Sequence, residues 1–137
     1  MPKIIVSNNK QELNNIFKFI AKELNYYEIQ LNYKIQLELA IEEAFVNIVD
    51  YAYPPNIINN ITIEIILEED PLKIIITLID NGNEYNPLIF EHKDIHAPLK
   101  EREIGGLGIL LIKKNVDFIS YKYENNSNFL TLEKNLE

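Results

Sequence analysis

Two runs of β-branched residues, Ile61-Thr62-Ile63-Glu64-Ile65-Ile66-Leu67 and Lys73-Ile74-Ile75-Ile76-Thr77-Leu78-Ile79, are separated only by Glu68-Glu69-Asp70-Pro71-Leu72. With Asp-Pro as a turn signal between them, the pair reads as an antiparallel hairpin. The second run is apolar almost throughout and is therefore predicted to be a central strand, whereas Thr62, Glu64 and Glu68 can face outward on the first. A central strand needs neighbours on both sides and a layer of helix to cover it, so the rest of the chain must supply more strands and an amphipathic helix.

It does both. Lys3 to Val6 reads as a short first strand, and Ser7-Asn8-Asn9 offers capping residues for a helix from about Lys10 to Leu24, with Leu13, Ile16, Phe17, Ile20 and Leu24 at helical spacing. A polar connection from Asn25 to Asn32 leads into a longer helix, ended by Pro54-Pro55. Its stripe is Leu37, Ile41, Ala44, Phe45, Ile48 and Ala52. Asn56 to Asn60 is a loop. From Asn83 to Ile104 periodicity is weak, Pro87 and Pro98 interrupt it, and a stretch of this length inside a compact domain is usually functional or mobile. Beyond Gly105-Gly106-Leu107-Gly108 come a short apolar helix, a strand from Asp117 to Tyr123, a turn at Asn125-Asn126-Ser127-Asn128 and a last strand from Phe129 to Lys134. The order β-α-α-β-β-lid-α-β-β predicts an α+β fold, a two-layer sandwich whose mixed, mostly antiparallel sheet carries its helices on one face.

At 137 residues and 47% hydrophobic composition, one domain spanning 1–137 with its own core is expected. The net charge of -8 argues against direct nucleic-acid binding and against docking on an anionic membrane. No apolar run approaches the roughly 18 residues of a membrane span, Met1 to Val6 is too short for a secretory signal, and cysteine is absent. A cytoplasmic protein without disulfides or a thiolate metal site is the expectation.

Three stretches carry chemistry. On the long helix, Glu43 and Asn47 are four residues apart, so at about 100° per residue they point within about 40° of each other, with Asp50 beside them and Glu42 on another flank. An amide oxygen is a hard ligand suited to Mg²⁺, and the adjacent carboxylate could take a proton from an attacking hydroxyl; a solvated helix face has the same pattern. Asp80-Asn81-Gly82 ends the central strand. Its carboxylate can accept from an exocyclic amine such as N6 of adenine, with Gly82 letting the backbone pass close to a flat ring, although an ordinary strand-ending turn reads alike. Gly105-Gly106-Leu107-Gly108 opens a helix, where exposed N–H groups and the positive helix end make a plausible phosphate cradle, or where glycines simply separate a lid from a helix. It is neither a Walker loop nor a dinucleotide fingerprint.

In this order and combination the three stretches resemble the histidine-kinase-like ATPase superfamily, the Bergerat ATP-binding fold, and within it the stand-alone anti-sigma-factor serine kinases. Glu42 to Tyr53 is similar to that family's N box, Asp80-Asn81-Gly82 to its G1 box, and Ala97 to Ile109, followed by Val116-Asp117 and Tyr121, to its lid end and G2 box. The resemblance implies that Asn47 holds Mg²⁺ against the triphosphate of ATP, that Glu43 is the general base, and that Asp80 binds the adenine amine with Gly82 beneath the ring. It also implies ATP contacts from Asp50, Gly105, Gly106, Leu107 and Gly108, and an ATP lid over about 83–104. Arg102 is the obvious cation near the γ-phosphate, unless it is a solvated lid arginine. Family members often carry His-Gly where this chain has Tyr51-Ala52, which alters the pocket wall but removes none of this chemistry. His92 and His96, the only histidines, read as surface residues of the lid. A complete sensor histidine kinase is not expected at this length.

The function implied is that of a serine/threonine protein kinase and anti-sigma factor, a homodimer that phosphorylates a small antagonist protein on serine and holds or releases a sigma factor, so regulating transcription. A non-catalytic module that senses nucleotide and regulates a protein partner is the alternative. A structural interaction protein that has lost ATP binding fits less well, because Asn47, Asp80, Gly82, Gly106 and Gly108 are all present.

Overall fold

The computed structural model of the protein describes residues 1–92 and 108–137. Its elements are β1 (Lys3–Ser7), a 3-10 turn at Lys10–Glu12, α1 (Leu13–Glu23), α2 (Leu31–Tyr51), β2 (Asn60–Glu68), β3 (Lys73–Asp80), a 3-10 segment at Pro87–His92, a helix α3 over residues 108–115, β4 (Phe118–Glu124) and β5 (Ser127–Asn135). Among the described residues the strands form one sheet in the order β1-β2-β3-β5-β4, and every neighbouring pair is antiparallel. The α+β architecture expected from the sequence is thus present, with β3 at its centre.

Burial alternates along the strands as a one-sided sheet requires. Ile61, Ile63 and Ile65 of β2, Ile74, Ile76 and Leu78 of β3, and Leu130 and Leu132 of β5 point inward into one core with Ile16, Ile20, Leu37, Ile41, Ala44, Phe45 and Ile48 of the helices. The stripe predicted for α2 is buried along its whole length, and Ala40 joins it. The opposite face of the sheet has no helix over it among the described residues. Ile5 and Phe118 are 56% and 55% exposed there, and Thr77 and Thr131 face each other across β3 and β5 with their hydroxyls 3.2 Å apart.

Two details of the fold set the position of the site. The β4–β5 connection is tighter than the sequence reading placed it: Asn125 and Asn126 alone make the turn, both at positive φ, and Ser127 and Asn128 already belong to β5. Two-residue hairpin turns demand such backbone, and asparagine tolerates it best after glycine. At the other end of β5, strict alternation carries Lys134 into the core, where it is only 5% exposed. Its ammonium donates to Gln36 Oε1 at 2.8 Å and to the Asn115 carbonyl at 2.7 Å, and lies 5.6 Å from the centre of the Tyr33 ring. Burial pulls its pKa below the ordinary lysine value, with the charge of Asp117 opposing that shift. One side chain therefore ties α2, the last turn of α3 and β5 together, and it meets α3 at the carbonyl end, where a cation is favoured.

Candidate functional site

Glu43 and Asn47 sit on the side of α2 that is only partly covered, while Glu42 is exposed, as helix spacing predicts. They converge on the start of α3. A Cβ built on Gly108 would stand 3.0 Å from Asn47 Nδ2, 3.4 Å from Asn47 Oδ1 and 3.2 Å from Glu43 Oε2, so the bare glycine leaves a cradle that any other residue would fill. Neither Glu43 nor Asn47 makes a side-chain hydrogen bond among the described residues. Desolvation, and secondarily the charge of Glu42, raises the Glu43 pKa above the ordinary glutamate range. A partly desolvated carboxylate with an elevated pKa beside an unengaged amide suits proton transfer next to a hard cation.

Asn47 also lines a small cavity with Asp80, Ala44, Ile48, Asn128 and Tyr121, which at about 10 Å³ has room for about one water. Asp80, the last residue of β3, is 3% exposed. Its Oδ1 accepts from the Gly82 N–H at 2.9 Å and from Asn128 Nδ2 at 2.9 Å. Burial raises its pKa, and these two hydrogen bonds pull it back down. Gly82 is required for a reason the sequence did not reveal: a Cβ there would be 2.5 Å from the Ala52 carbonyl oxygen, which accepts from the Asn83 N–H at 2.7 Å. The end of α2 and the end of β3 are thereby pressed together. Next to them Tyr51 stacks on Tyr85, ring centroids 5.3 Å apart. Among the described residues the buried Tyr53 hydroxyl has no well-formed hydrogen bond, and burial together with the nearby Asp80 charge pushes its pKa up to about 12.

Of the residues singled out from sequence, Glu43, Asn47 and Gly108 come together, and Asp80 is linked to them through the cavity that Asn47 shares. Asp50 goes elsewhere. One face of the helix is not one place: two turns beyond Glu43, Asp50 pairs with Lys10 at 2.9 Å and lines a separate open groove of about 540 Å³ with Ser7, Tyr53 and Pro54. Arg102, Gly105, Gly106 and Leu107, with the lid from residue 93 onward, lie outside the described residues. Asn128 was missed, because Asn125-Asn126-Ser127-Asn128 has the composition of a turn. The signal was available: counting back by two from Leu132 and Leu130 puts Asn128 on the inward face, opposite Asp80. No helix among the described residues is long and apolar enough to cross a membrane.

Known proteins point the same way. A family model described as a histidine kinase-like ATPase domain matches residues 6–134. The serine-protein kinase RsbW of Bacillus mycoides (strain KBAB4) is 35% identical over 92 residues, 64% of this chain and 56% of that protein, so the chain spans little more than half the length of the relative it matches. With the matched region running through β1 to β5 and holding Glu43, Asn47, Asp80 and Gly108, the chain belongs to the histidine kinase-like ATPase domain family.

Proposed function

We propose that the protein is an ATP-binding serine/threonine protein kinase that acts as an anti-sigma regulatory factor and phosphorylates a small antagonist protein on serine. The observation that carries this reading is the convergence of Glu43 and Asn47 on the bare Gly108 at the start of α3. The donor set fits Mg-ATP: an unengaged amide oxygen for a cation that keeps several waters and takes phosphate oxygens as further ligands, and a partly buried carboxylate for the base. Asn47 would hold Mg²⁺ and Asp80 the adenine. When bound, Mg²⁺ neutralises charge on the phosphate oxygens during transfer. Glu43 accepts the proton of the incoming serine hydroxyl, and its raised pKa makes it a better acceptor than an exposed glutamate. Gly108 keeps side chains out of the space between the carboxylate and the helix end. Chemistry of this kind needs positioning more than covalent participation, which is why so few side chains suffice.

The sigma-factor and antagonist partners, the homodimer and the cytoplasmic setting are part of the proposal and rest on the family resemblance. Isothermal titration of the wild type with Mg-ATP, beside Asp80→Asn, is the first test. Micromolar binding that weakens roughly tenfold to a hundredfold in the variant is expected from loss of a charged hydrogen-bond acceptor. No binding by the wild type would end the ATP-dependent reading. Transfer of labelled phosphate to a serine of a candidate antagonist then separates a kinase from a non-catalytic nucleotide sensor, and light scattering measures the dimer.

A further inference from the structure

Asn128 is 3% exposed and pairs with Asp80 across β3 and β5. Its amide nitrogen donates to Asp80 Oδ1 and to the Asn83 carbonyl, each at 2.9 Å. Its amide oxygen accepts from the Tyr85 N–H at 3.0 Å and from the Tyr121 hydroxyl at 2.5 Å. The orientation of the amide is fixed by its partners, since a backbone N–H can only donate and a backbone carbonyl can only accept. Two donors and two acceptor lone pairs are all used. Asn128 has nothing left with which to touch a ligand, so its effect on a ligand must pass through Asp80.

That effect is to divide the carboxylate. Oδ1 already takes two N–H groups, from Gly82 and Asn128, while Oδ2 accepts none among the described residues. A carboxylate with both oxygens free can accept side by side from the N1–H and the 2-amino group of a 6-oxo purine. With Oδ1 occupied, pairing through both oxygens side by side is closed, and what is left is Oδ2, which suffices for the 6-amino group of adenine. A 6-oxo group in the same place would set an acceptor against the remaining oxygen.

Resting on the reading of the site as an ATP site, we infer that Asn128 is the positioning residue that sets base selectivity: by holding Asp80 Oδ1 it leaves Oδ2 alone to accept from a 6-amino purine and excludes the two-pronged pairing a guanine nucleotide would need. The Tyr121 hydroxyl supports it from β4, and the bonds to Asn83 and Tyr85 fix the segment leaving β3 to the same amide.

The test is the ratio of ATP to GTP affinity, by titration, for the wild type, Asn128→Asp and Asn128→Ser. Asn128→Asp keeps acceptors for Tyr85 and Tyr121 but replaces the fixed N–H donors by a second carboxyl beside Asp80, and its ATP:GTP ratio is expected to fall at least tenfold. Asn128→Ser retains a hydroxyl donor and is expected to recover part of the ratio. Weaker binding of both nucleotides with an unchanged ratio would overturn the inference, since a purely structural role lowers both alike. If Asn128→Asp does not fold, Tyr121→Phe, which removes one support of the amide from a half-buried position, is expected to lower the ratio severalfold; an unchanged ratio there overturns the inference equally. Failure of the wild type to bind either nucleotide would instead strike the ATP-site reading itself, and this inference with it.

Discussion

The two ends of the site are built on different principles. At the β3 end polar groups are satisfied by one another: Asp80, Gly82, Asn128, Asn83, Tyr85 and Tyr121 form a hydrogen-bonded network on adjacent strands and the segment between them. At the α2 end, the side chains of Glu43 and Asn47 make no hydrogen bond among the described residues and face Gly108. Strand register fixes distances along a hydrogen-bonded ladder, so a reader of base edges gains from being placed there. A helix surface beside a glycine leaves side chains free to adjust to a cation and phosphates that bring their own ligands. On the proposed reading, recognition would be preorganised and the transfer machinery would complete itself around what it binds.

This contrast can be broken at either end. The largest effect is expected from Glu43→Gln, which removes the proton acceptor without altering volume: phosphoryl transfer should drop by about 10²–10⁴ while ATP affinity stays within about threefold. A parallel loss of affinity would show that Glu43 belongs to the binding network after all. Gly108→Ala should come next. Its methyl would press on the tips of Asn47 and Glu43, which can swing aside by a few tenths of an ångström, so the change should appear as weaker Mg-ATP binding with little change in melting temperature. A large fall in melting temperature with unchanged affinity would mean the cradle is structural. The smallest effect concerns pH. A carboxylate can act as a base only when ionised, and the Glu43 pKa is raised, so if Glu43 is the base, transfer should decline on acidification at a higher pH than an ordinary glutamate would dictate. Glu42→Gln removes a charge that contributes to the shift and should move that acid limb to lower pH. An unmoved limb would assign the titration to another group.

How much of this was legible in the chain follows from range. Helical spacing is local, so the buried stripe from Leu37 to Ala52 and the choice of Glu43 over Glu42 could be read directly. The hairpin of β2 and β3 was legible for the same reason. Asp50 shows where locality misleads, since sharing an azimuth with Glu43 says nothing of the two helical turns between them or of Lys10 waiting at the far end. Alternation along β5 is enough to turn Asn128 and Lys134 inward, but the partners they find there depend on the pairing of β5 with β3 and on the position of α3, which no window of sequence contains. Gly82 was found for one reason and is needed for another, the approach of Ala52.

The seam between β3 and β5 has one more consequence, for the order of assembly. β2 with β3 and β4 with β5 are hairpins joined by short turns, whereas Asp80 and Asn128 are brought opposite each other only when the two hairpins close across the intervening chain. Long-range closure is the slow, entropically demanding part of folding a sheet. The carboxylate that would read the base therefore acquires its partner late, and Asn128→Ser is expected to accelerate unfolding in stopped-flow denaturant jumps far more than it slows refolding; the opposite partition would place the seam in the folding nucleus.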